Sequence, residues 1–114
     1  MNEEFVKRVY DTVIIEHISI YKDLFENTKV QDSTVDYWKD VMKFYNELDD
    51  SKKAVFYNIL KQVLTDAVSE IFGIIDGSST LKGGNLQIRM QIEGEDTEEE
   101  LQDTFLVHVE EQSN

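Results

Sequence analysis

The chain has 114 residues, one domain's worth, and carries 24 Asp and Glu against 11 Lys and Arg for a formal charge of −13, with no Cys and no Pro. That balance argues against nucleic acid or an anionic membrane surface as a partner, because both require a basic patch to displace counterions. The missing thiols exclude a disulfide scaffold, a zinc ribbon and a thiol nucleophile.

The first predicted element is a long amphipathic helix over residues 3–27. Phe5, Val6, Val9, Tyr10, Val13, Ile14, Ile18, Tyr21, Leu24 and Phe25 recur at the spacing that keeps one helical face apolar. The β-branched run Val13-Ile14-Ile15 leaves a strand there as a minor alternative. Ile15 and Ile20 fall off the stripe, where only a further helix or a second subunit would cover them.

A second helix is expected over 33–48, capped by Ser33 or Asp32, with Trp38, Val41, Met42, Tyr45 and Leu48 on its apolar stripe. Tyr37 and Phe44 flank that stripe, and core packing is preferred to an exposed aromatic anchor. Asp49, Asp50 and Ser51 offer the cap for a third helix over 51–76. From Val55 to Ile75 it is apolar around more than half its circumference, which predicts a central helix covered on several sides. Gly77 supplies the left-handed backbone that ends it.

Beyond Ser78 the period changes from about four to two. Leu86, Ile88, Met90 and Ile92 alternate with polar residues, which predicts a β element within 79–93. The strand at 86–92 requires a partner. Residues 79–82 across a Gly83-Gly84-Asn85 turn, or the same strand of a second copy, would supply it. Thr97 and Glu100 form a predicted capping box for a last helix over 97–111, with Leu101, Phe105, Leu106 and Val109 facing inward. The fold class expected is a mainly α, α+β single domain: four helices with a small β-hairpin or single strand between the third and fourth.

Charge is the leading functional signal. Residues 1–92 hold 15 acids and all 11 bases, whereas residues 93–114 hold nine acids and no base. The nine are Glu93, Glu95, Asp96, Glu98, Glu99, Glu100, Asp103, Glu110 and Glu111. Carboxylates in a helix's first turn complement its positive end, which accounts for Glu98, Glu99 and Glu100 but not for Glu110 and Glu111 at the opposite end. Two readings therefore stand, a solvated face and a binding surface for a basic protein.

Other chemistry finds little support. A calcium loop counted from Asp76 has Leu81 where glycine belongs and Gln87 where the terminal Glu belongs. His17 and His108 lie on different predicted helices and make a weak zinc pair, so no metal and no cofactor is expected. No G-x-S-x-G elbow is present, and Gly83-Gly84 after Lys82 lacks the spacing of a phosphate loop. No apolar run approaches the roughly 18 residues of a membrane span, and Glu3 and Glu4 stand where a signal peptide is basic, so a soluble, cytoplasmic protein is expected.

The run Ile71-Phe72-Gly73-Ile74-Ile75-Asp76-Gly77-Ser78, the strand-like segment 86–92 and Leu101-Gln102-Asp103-Thr104-Phe105 together resemble small acidic bacterial immunity proteins of polymorphic or contact-dependent toxin systems. The resemblance covers about residues 35–106. It implies a non-enzymatic inhibitor of a basic toxin, a nuclease being one such target. Immunity proteins meet their toxins through variable surfaces, so it assigns no inhibitory residue, and Asp76, Gly77, Leu101 and Phe105 are expected to serve the fold. The alternative is a structural or adaptor domain acting through homodimerisation.

Overall fold

A computed structural model describes residues 1–113. Helix α1 runs through residues 2–27 in three consecutive stretches: α-helical Asn2–Val9, a π-helical segment Tyr10–Glu16, and α-helical His17–Asn27. Helix α2 spans Asp36–Asn46 and α3 spans Asp50–Asp76. Strands β1 (Gln91–Ile92) and β2 (Glu95–Asp96) form an antiparallel hairpin, and α4 (Leu101–Gln112) closes the fold. The protein is mainly α, with a small β part between its third and fourth helices.

The π segment absorbs the β-branched run. A π turn takes in about one residue more than an α turn, so it rotates the buried face of the helix partway along. Val6, Tyr10 and Ile14 pack with Val68, Phe72, Leu101 and Phe105, joining the start of α1 to α4 and the second half of α3. Beyond the π segment Phe25 packs with Met42 and Tyr45, joining the end of α1 to α2 and the first half of α3. The two cores lie along one long helix. The radius of gyration is accordingly 17.8 Å, against about 13 Å for a compact chain of this length.

The ends of α3 follow the sequence closely. The Asp49 carboxylate accepts the Lys52 amide at 2.9 Å, and that bond, with one from the Ser51 hydroxyl, holds its pKa below the usual range. Gly77 ends the helix at φ 86°, and the Ser78 amide reaches back to the Gly73 carbonyl at 2.8 Å.

Four local expectations are corrected. Helix α2 starts at Asp36 behind Val35, because Thr34 closes a turn onto the Gln31 amide and neither Asp32 nor Ser33 caps the helix. The hairpin turns at Glu93-Gly94, both at positive φ as a tight two-residue turn demands. Residues 79–82 and 86–90 are not strands. Asn85 accepts the Leu81 amide instead, so the Gly83-Gly84-Asn85 turn closes on itself without a ladder. Lastly, Thr97 and Glu100 form no capping box, and α4 begins at Leu101 rather than at residue 97.

The cap of α4 comes from another helix. Buried Asp76, the last residue of α3, accepts the Gln102 amide at 2.8 Å and so satisfies one of the free N–H groups of the α4 N-terminus. Gln102 returns the contact: its amide nitrogen donates to the Ser69 carbonyl at 3.0 Å, and its oxygen accepts the Ser78 hydroxyl at 2.8 Å. This seat exists because residue 73 is glycine. A Cβ there would lie 2.8 Å from the Gln102 nitrogen and in collision with the Ser79 hydroxyl.

Helix α3 is not enclosed as its composition predicts. Val68 and Phe72 are buried, but Val55, Ile59, Val63 and Ile71 are exposed. Leu106 also points outward, unlike Leu101 and Phe105, which are fully buried. Tyr45 is in the core, whereas Tyr37 and Phe44 stay exposed, so the aromatic cluster of α2 divides between two surfaces.

The seat for Gln102 yields a stability prediction. Alanine at position 73 gains about 1 kcal/mol of helix propensity. It displaces Gln102 from bonds worth about 1 kcal/mol each and crowds a closed junction at a cost of about 1–3 kcal/mol. Gly73→Ala is therefore expected to lower unfolding free energy by about 2–4 kcal/mol in a urea titration; greater stability than the wild type would show that the junction does not depend on this glycine.

Candidate functional site

The acidic residues gather around the hairpin and the start of α4. Glu95, Asp96, Glu98 and Glu100 line a polar cleft of about 370 Å³, and Glu3 from the first turn of α1 completes its wall. The Asn2 side chain ties the two ends of the chain together by donating to the Thr97 carbonyl at 2.9 Å. Glu3 also borders an adjoining depression of about 280 Å³ shared with Asp103, His108 and Glu111. Glu93 sits in the hairpin turn, Glu99 in the bend before α4, and Glu110 on the outer face of α4; all nine C-terminal acids are exposed.

The local backbone explains this crowding. The Asp96 carboxylate accepts the Glu98 amide at 2.6 Å, bending the chain so that Glu98 and Glu99 both adopt positive φ, at 55° and 59°. Such angles are uncommon for residues with a side chain. These residues precede α4 instead of forming its first turn, so helix-dipole complementarity does not account for them. Of the nine, Asp103 alone lies in that first turn.

Few cations offset the cluster. Among the described residues, Arg89 pairs with Asp96 at 3.3 Å and the N-terminal ammonium lies 3.8 Å from Glu3. Both pairs are solvent-exposed, so each is worth at most about 1 kcal/mol. No group of three or more His, Asp or Glu among the described residues is close enough to hold a metal ion. The carboxylates of the cluster are exposed to solvent.

Charge divides between the two cores. Residues 17–64, around the Phe25 core, carry seven Lys and eight acids for a net of −1. Residues 1–16 and 65–114 carry four bases and 16 acids, a net of −12. Nearly the whole charge of the protein thus sits on the lobe that bears the cleft. Glu3 could not be assigned to the patch from sequence, since it lies more than 90 residues from the other acids and only the closure of α1 against α4 unites them.

The neutral lobe has a different surface. An apolar groove of about 670 Å³ lies between the second half of α1, α2 and the first half of α3, with Tyr21, Tyr37, Phe44 and Val63 on its walls and His17 and Asp40 as its polar rim. Behind it the Tyr45 hydroxyl donates to Glu26 and accepts from the Tyr57 hydroxyl at 2.8 Å. Lys53 lies 4.5 Å from the Tyr45 ring centre and 3.8 Å from Glu26. This network clamps α1, α2 and α3 together.

His17 and His108 remain separate. The His17 ring bonds to the Val13 carbonyl, and His108 packs edge-on against Tyr10 at 5.1 Å. Among the described residues, no helix is long and apolar enough to cross a membrane. Comparison with protein-family models, curated proteins and solved structures returned no match.

The tyrosine clamp gives the fold a defined alkaline limit. Burial, reinforced by the bonds to Glu26 and Tyr57, pushes the Tyr45 hydroxyl far above its ordinary 10, and burial with the Glu26 charge also raises Tyr57. Below pH 10 folded and unfolded chains hold these protons equally; above it the unfolded chain releases them first, so stability falls as pH rises. Tyrosinate absorbance should show Tyr45 and Tyr57 ionising only as the chain unfolds. Tyr45→Phe should cost about 1–2 kcal/mol at neutral pH and flatten the alkaline loss; free titration of all five Tyr in the folded protein would contradict the clamp.

Proposed function

We propose that the chain is a non-enzymatic acidic binding protein, an immunity or inhibitor protein that neutralises a basic toxin by covering its cationic active face. A nuclease is the natural target class, because an enzyme that grips a polyanion presents the basic surface an acidic inhibitor can occupy. The observation that carries the reading is the placement of charge: a lobe with a net of −12 gathers Glu3, Glu95, Asp96, Glu98 and Glu100 around one cleft. Carboxylates spread over such a surface accelerate encounter with a cationic partner and fix its orientation.

The costs of the arrangement support the same reading. Packing acids this densely opposes folding through self-repulsion, and three of them, Glu93, Glu98 and Glu99, sit on left-handed backbone. A merely solvated face requires neither feature. The resemblance to immunity proteins agrees with a partner-binding surface, and the protein would act in the cytoplasm of the cell that makes the toxin.

The test uses the purified chain as bait for the products of neighbouring genes, at low and then moderate salt. A single basic protein retained near stoichiometry, with its toxic activity blocked, is the expected outcome. Replacing Glu3, Glu95, Glu98 and Glu100 with Lys should slow association by about 10- to 1,000-fold at low salt, the difference shrinking as salt rises. Equal reversals at Asp32, Asp36, Glu47 and Asp50 on the neutral lobe should change the rate far less. Capture and inhibition that survive the first set unchanged would remove the acidic cleft from the mechanism.

A further inference from the structure

The first half of α3 exposes Val55, Ile59 and Val63. They recur every fourth residue, so they form one ridge along the helix, and Val63 at its end is also a wall of the apolar groove. Tyr21, Tyr37 and Phe44 line the same groove while remaining 42%, 69% and 53% exposed. Six side chains of this size, each about half exposed, present about 500 Å² of apolar surface. That is near the upper end for a monomer and more than half of the about 800 Å² that each partner contributes to a stable dimer.

We propose that this groove and ridge form the contact between two copies of the chain, related by a two-fold axis so that each ridge seats in the groove of the other copy. Charge favours a second copy over a basic partner as the occupant. The lobe bearing the groove has a net of −1, so two such lobes meet without the repulsion that would separate two lobes of −12. A basic partner is drawn to the opposite lobe. The elongated shape, 51 × 37 × 23 Å, allows the neutral lobes to join while the acidic clefts stay at the far ends, free for other partners. Pairing also supplies the cover that the composition of α3 requires and this chain alone does not provide.

Sedimentation equilibrium of the full chain from micromolar to submillimolar concentration tests the proposal. The expected mass is twice 13.3 kDa, insensitive to added salt, whereas the complex with a basic partner weakens as salt rises; the two readings therefore fail separately. Ile59→Glu combined with Val63→Glu should weaken the dimer by at least about 100-fold. Tyr37→Ser, on a different helix, should weaken it by about 10-fold. Because these side chains are exposed, circular dichroism and the urea midpoint should match the wild type. A wild type that is monomeric throughout overturns the proposal and leaves the groove to an apolar helix of another protein or to a small apolar ligand. A dimer that persists in both folded variants overturns it equally.

Discussion

The junction between α3 and α4 holds the acidic lobe together. Asp76 ends one helix and caps the next, Gln102 reaches back to Ser69 and Ser78, and Gly73 leaves the space in which these bonds form. Each bond alone is worth about 1 kcal/mol. Their joint effect is geometric: they fix α4 against α3, so that Leu101 and Phe105 enter the core beside Val6, Tyr10 and Ile14. With α4 held there, the hairpin and the bend at Glu98-Glu99 place the acids they carry on the surface beside Glu3.

Helix α1 divides its packing between two seams. Its π segment turns the buried face, so one continuous helix serves the Phe105 core with its first half and the Phe25 core with its second. Two small cores along a rod expose more surface than one compact core of the same length. That surface is specialised: the charged lobe carries a cleft rimmed by carboxylates, and the neutral lobe carries an apolar groove backed by the Tyr45 clamp. Electrostatic attraction acts over a Debye length of about 8 Å at physiological salt, whereas apolar burial acts only in contact.

The residues by themselves determined the helical periodicity of all four helices, the Asp49 cap and Gly77 stop of α3, the mainly α class and the concentration of acid in residues 93–114. Those features are local, set by side-chain spacing, capping chemistry and tolerance of positive φ, which a sequence displays directly. The hairpin position was not legible. Alternation through Leu86 and Ile88 suggested a strand, but a strand also requires a partner in register, and Glu93-Gly94 lacks the Asn-Gly or Asp-Gly turn signature. Thr97 and Glu100 likewise had the spacing of a capping box, while the group that caps α4 lies 26 residues earlier, in Asp76.

Tertiary structure alone decided which apolar residues are covered and which acids are neighbours. Ile15 and Ile20 remain exposed, and Val55, Ile59 and Val63 do so on a helix whose composition called for burial, because the packing of α1, α2 and α3 leaves that side open. Glu3 joins the acids of the hairpin only because α1 and α4 pack side by side. Periodicity states that a face is apolar or charged; what it faces depends on how the helices cross, and contacts between residues distant in the chain decide that.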